Sequence, residues 1–225
     1  MKLDQALENI RRVTNKLPKE EFSCIRDNKE KAIPALLECV KKVADMGESL
    51  PEDYDAHTYA MFLLAEFRVH EAFSYLVTYL EFDNDFTYRL VGDMLAEIFG
   101  SILASVATIE DISRLKFIVE NNELYLHHRL TALDAMHTLY AEDMYDQDDY
   151  FVYLRHLLDS HRDDDGSCAY SRTQLARLIF SESLCNCRKT IVADKRSILA
   201  LPPPIRLTHL MILLMPSTGP FEISG

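Results

Sequence analysis

The side chains best placed for chemistry are His57, Glu66, Asp93 and Glu97. Asp93 and Glu97 stand four residues apart, so on a helix they share one face. Two carboxylates beside a histidine can exchange protons with a substrate or hold a divalent cation. On that enzyme reading the four converge in one pocket and serve a small-molecule hydrolase or lyase. The competing reading gives the carboxylates to Arg89 or Arg129, or to loop backbone, because structural ion pairs are the commoner fate of such groups.

The remaining candidates carry less. Cys185 and Cys187 invite a metal reading, with Cys168 and His209 as companions. Structural zinc uses paired motifs with roughly two to four residues between ligands. This pair has a single residue between its cysteines, so free thiols are expected, with no metal and no cofactor. His127 and His128 are neighbours and would point about 100 degrees apart on a helix, so one packs and the other is solvated. Asp143, Asp146, Asp148 and Asp149, and later Asp163 to Asp165 before Gly166, lack the alternation, central glycine and closing glutamate of a calcium loop. They read as turns and helix N-termini, where acids meet the helix dipole. There is no glycine-rich phosphate loop or nucleophile elbow, and Ser101 and Ser105 fall inside a helix. No catalytic residue is assigned.

Charge narrows the partners. Residues 31–182 hold 28 acids and 12 bases, and residues 183–225 hold two acids and five bases, within a net charge of −12. An acidic body repels phosphate backbones, so nucleic acid is not expected as a partner, and a DNA-glycosylase type of groove would need the opposite charge. A basic protein or peptide would suit it. Five cysteines and a polar start over residues 1–10 predict free thiols in the cytoplasm. The apolar run 207–215 is too short to span a bilayer, so no membrane partner is expected.

The elements that must position these residues follow from a repeat. Leu37, Leu76, Leu115 and Leu154 are spaced by 39 residues. The same offset aligns Phe73, Ile112 and Phe151, then Val40, Tyr79, Ile118 and Leu157, then Leu80, Val119 and Leu158. Within each copy the spacing i, i+3, i+6, i+7 describes a helix face. Six glycines and eight prolines leave long stretches without breakers. Helix pairs are therefore predicted at 28–47 with 54–67, 71–82 with 86–106, 109–121 with 124–142, and 147–161 with 168–181. Arg89 to Gly92 can be laid on Arg129 to Ala132, with the small Gly92 and Ala132 allowing helices to approach. A short leucine-centred helix, an acidic turn and an Arg-led helix resemble the HEAT repeat. The fold class is all-α, a HEAT-like α-solenoid (alpha-alpha superhelix) of about four helix pairs. Residues 1–28 form an N-terminal capping helix, 29–182 the repeat domain and 183–225 an atypical C-terminal tail, where three prolines favour an extended segment.

The run Tyr59, Ala60, Met61, Phe62, Leu63, Leu64, Ala65, Glu66, Phe67, Arg68 resembles the opening motif of the bacterial family Domain of Unknown Function 1186. Gly92, Asp93, Glu97, Gly100, Ile102, Leu103, Ala104 and Ser105 resemble its second, more specific motif. The resemblance covers roughly residues 30 to 180. It implies a HEAT-like helical protein with no established activity, often ending in a small zinc-type motif, from which this tail departs. The leading expectation is a scaffold that binds a protein or peptide on a concave face made by the second helices. Tyr59, Glu66, Arg89, Asp93, Glu97 and Arg129 are the residues expected to do the binding.

Overall fold

A computed structural model describes residues 1–14 and 16–160. Every regular element among them is helical. Residues 1–28 hold two helices, α1 (Leu3–Asn9) and α2 (Lys19–Asp27), where the sequence pattern suggests one. The apolar spacing that runs on to Val13 does not continue the helix, and Val13 lies 45% exposed.

The first predicted pair is α3 (Lys29–Met46) with α4 (Ala56–Phe67). Helix α3 buries Ala32, Leu36, Val40 and Val43, a stripe at helical spacing, and stops at Gly47 with a φ of 50°. Helix α4 is different in kind. Nine of its twelve residues are buried and only Glu66, in its last turn, is exposed, so it is largely an interior helix. Helix α2 covers one side of it, with Phe22 edge-on to Tyr59 at 5.4 Å.

The first helix of the second pair begins as a 3-10 turn (His70–Ala72), continues as α5 (Phe73–Thr78) and closes as a second 3-10 turn (Tyr79–Glu81). Its partner is not the single helix expected over 86–106. It breaks into α6 (Asn84–Val91), α7 (Met94–Glu97) and α8 (Phe99–Val106). The first break is at Gly92, whose φ of 53° ends the helix, and the second is at Ile98, with a φ of −141°. The third pair is a 3-10 turn (Ile109–Asp111) leading into α9 (Ile112–Glu120), followed by α10 (Leu126–Ala141). Thr108 and Asp111 form a reciprocal capping box at its start. Helix α11 (Gln147–Ser160) opens the fourth pair. The predicted helix 168–181, the tail, and Cys168, Cys185, Cys187 and His209 lie outside the described residues.

Helix α3 packs on α4 and α5, α8 packs on both α4 and α10, and α10 packs on α9. The repeat columns mark the buried seam. Val40, Tyr79, Ile118 and Leu157 are all fully buried, and the Tyr79 hydroxyl donates to the Val40 carbonyl at 3.2 Å, one repeat away. In the leucine ladder Leu76, Leu115 and Leu154 are buried, but the first rung passes to Leu36, with Leu37 only partly covered. The close helix approach falls at Gly100 rather than Gly92. A Cβ on Gly100 would stand 3.0 Å from the Thr131 carbonyl oxygen of α10, whereas one on Gly92 would meet nothing nearer than 3.8 Å.

Helices α4 and α10 end alike. Val69 N–H donates to Leu64 and Met144 N–H to Leu139, each across a non-glycine residue with positive φ, Arg68 at 53° and Asp143 at 60°. Arg68 then pairs with Glu142 at 3.2 Å, tying the two helix ends together.

Candidate functional site

The structure gives His57, Glu66 and Asp93 separate partners. His57, 3% exposed, lies against the Leu90 carbonyl of α6 at 2.8 Å through Nε2. Its ring stacks on Tyr54 at 6.1 Å and meets Tyr79 edge-on at 6.2 Å. Burial pushes its pKa down, partly opposed by the Leu90 carbonyl, the Asp55 charge and the Tyr54 backbone. Glu66 accepts two hydrogen bonds from the Arg26 guanidinium at 2.7 and 2.8 Å. Asp93 and Glu97 flank and close the short helix α7, and both are exposed.

Two of the predicted binding residues face inward. Tyr59 is 2% exposed because α4 is buried on nearly all sides, and Arg129 is 5% exposed with Nε donating to the Val119 carbonyl at 2.8 Å. Arg89 turns back over the Phe86 ring at 4.8 Å and donates to the Leu50 carbonyl at 3.4 Å. Of the adjacent histidines, His128 is buried and His127 exposed, as their angular separation requires. Asp146 accepts from the Asp149 backbone N–H at 3.1 Å as the start of α11, an N-terminal turn rather than a calcium loop.

What α6, α7 and the entry to α10 leave at the surface is acidic and aromatic. Tyr88 is 58% exposed, and its hydroxyl donates to Asp93 Oδ1 at 3.2 Å. Tyr125 is 49% exposed and donates to Asp83 Oδ2 at 3.3 Å, while Leu126 beside it is 40% exposed. Asp83 also caps α6, and the Asp85 backbone N–H holds its carboxyl below the usual range. Its charge in turn raises the Tyr125 hydroxyl. From residue 81 to 100 the chain carries five acids against Arg89 alone. Arg114 pairs with Glu81 and Arg89 lies over Phe86, while Asp83, Asp85, Asp93 and Glu97 are exposed.

A second constellation escaped the sequence reading. Asp134 and His137 sit three apart on α10, and His137 Nδ1 lies 3.2 Å from the Tyr150 hydroxyl of α11. Tyr140 stacks on Tyr150 at 4.9 Å, and Tyr145 meets it edge-on at 5.8 Å. Burial raises the Asp134 carboxyl, lowers His137 and raises Tyr150 above the ordinary tyrosine range, so the neutral form of each group is favoured. The available signals were the i, i+3 spacing and Gly100, whose missing side chain makes room for the Asp134 carboxylate. Among the described residues no three His, Cys, Asp or Glu side chains gather as a metal site would require. Nor is any described helix long and apolar enough to cross a membrane.

An uncharacterized protein of Chlamydia muridarum (strain MoPn / Nigg) is 27% identical over 141 residues, 62% of this chain and 56% of the relative. One of Chlamydia trachomatis serovar D is 24% identical over 172 residues, 76% of this chain and 68% of the relative. The chain thus spans little more than half the length of the first of these relatives. No solved structure matches it. The family described as "Protein of unknown function (DUF1186)" matches residues 1–186, so this chain belongs to the DUF1186 family.

Proposed function

We propose that the protein is a HEAT-like α-solenoid scaffold that binds a basic peptide segment on the face formed by α6, α7 and the start of α10. The stacking reading draws support from α8 packing between α4 and α10, and from contacts that span one repeat, Tyr79 to Val40 and Arg89 to Leu50. In this reading α1 and α2 cap the first pair.

The observation that carries the binding reading is the pair of exposed tyrosines, Tyr88 and Tyr125, each hydrogen-bonded to a surface carboxylate. An aromatic face beside a carboxylate attracts a lysine or arginine through both its charge and its ring quadrupole. Asp93 and Glu97, candidates from the sequence, supply the charge in this reading, while Tyr88 takes the aromatic role first given to Tyr59.

The test is fluorescence anisotropy with arrays of Lys/Arg-rich and matched Glu-rich peptides. The expected result is retention of basic peptides only, salt-sensitive binding, and an affinity reduced about tenfold, about 1.4 kcal/mol, by Tyr88→Ala with Asp93→Ala and Glu97→Ala. Equal binding by wild type and triple variant would remove this face from consideration.

A further inference from the structure

Two buried histidines, one from each neighbouring pair, hold the second helix pair. His57, from α4 of the first pair, lies against the Leu90 carbonyl at 2.8 Å. His128, from α10 of the third pair, lies against the Leu80 carbonyl at 2.9 Å. Both carbonyls are at helix ends. In an unbroken helix Leu90 would accept from Met94, and the break at Gly92 removes that donor. Leu80 sits in the 3-10 turn that closes the first helix of the pair. Leu80 and Leu90 bracket the α5–α6 corner, taken as the turn that follows α5 together with α6 itself, so one histidine holds each end of it.

The rings can do this while neutral. One nitrogen donates to the carbonyl, and the other, His57 Nδ1 or His128 Nε2, is a bare lone pair buried with no hydrogen-bond partner. Protonation turns that lone pair into a buried N–H donor, with only the Tyr54 backbone near it at His57, and it brings a charge into a site 3% exposed at His57 and 0% at His128. The groups facing His57 are Tyr54, Tyr79 and the Asp55 carboxylate. Those facing His128 are Tyr125, the neighbouring His127 and the Asp83 carboxylate. Neither carboxylate bonds a ring, and at both histidines burial outweighs the attraction of the nearby charge.

We infer that His57 and His128 form an acid-sensitive clamp on the α5–α6 corner, closed when both rings are neutral and released when they are protonated. This inference does not depend on peptide binding. A histidine depressed in the folded state contributes stability that is complete above the unfolded pKa of about 6.5 and is lost as pH falls below it. Each clamp therefore loosens in mildly acidic solution, and the corner opens ahead of the core.

The experiment is hydrogen–deuterium exchange of the full chain at pH 7.5 and 5.5, with intrinsic exchange rates divided out. The expected result is a loss of protection across residues 79–91 of about tenfold for each histidine that stays neutral when folded. Gln in place of His57 and Asn in place of His128 set an amide nitrogen at the Nε2 and Nδ1 positions and do not titrate. The His57→Gln, His128→Asn variant should keep the corner closed at both pH values. Should that variant fail to fold, an NMR titration of the wild-type rings decides instead. Titration below 6.5 for both supports the clamp, and titration of either at or above 6.5 overturns it. A pH-dependent loss of protection that persists unchanged in the folded variant also overturns it.

Discussion

Replacing Gly100 by alanine should destabilise the protein, although alanine is the better helix former. A Cβ there would collide with Asp134 Oδ2 and lie 3.0 Å from Asp134 Cβ and 3.0 Å from the Thr131 carbonyl oxygen. The carboxylate can swing aside, since it ends a rotatable side chain. The Thr131 oxygen is backbone in the middle of α10 and moves only if the two helices part. Overpacking of this kind costs about 1–3 kcal/mol, and alanine's helix preference returns roughly 0.5–1 kcal/mol. The net loss should be about 1–2 kcal/mol in urea unfolding followed by circular dichroism. Adding Asp134→Ala removes the shortest contact and leaves the two at 3.0 Å, so the double variant should recover part of the loss. A Gly100→Ala protein as stable as wild type, or more stable, would refute the close approach of α8 and α10 on which the packing of this region rests.

Two further outcomes follow from burial. Leu115→Ala should cost about 2–5 kcal/mol, whereas Leu37→Ala, on the half-covered first rung of the same ladder, should cost clearly less in the same denaturation assay. Asp134→Asn should raise the melting temperature at pH 7. Burial raises the folded-state pKa of Asp134, so its contribution is complete below the unfolded value of about 3.9 and is lost as pH rises through the folded value. The gain from Asn should accordingly vanish near pH 3 in thermal scans.

The all-helical class and most helix positions were legible because helical periodicity is a local property. Leu115, Ile118 and Val119 lie on one side of any helix that contains them, whatever it packs against. The candidate site was less legible. Of the expected binding residues Asp93 and Glu97 are exposed, but Tyr59 and Arg129 are buried. Helices α4 and α10 are buried on nearly all sides, and a helix without a polar stripe carries no signal of which side faces a groove. The Asp134, His137 and Tyr150 group joins two helices, and only their packing brings the three together.

By itself the sequence determined the 39-residue period, the apolar columns and the acidic character of the body, all of which are counts along the chain. Tertiary structure decided which polar groups meet. Gly92 ends α6 because its neighbours and His57 accept a broken ladder there, and Gly100 touches α10 because α8 is wedged between two interior helices. Hydrogen bonds such as those of His57 and His128 join residues 33 and 48 positions apart. Their partners are backbone carbonyls, which every residue carries, so no residue type announces them in advance.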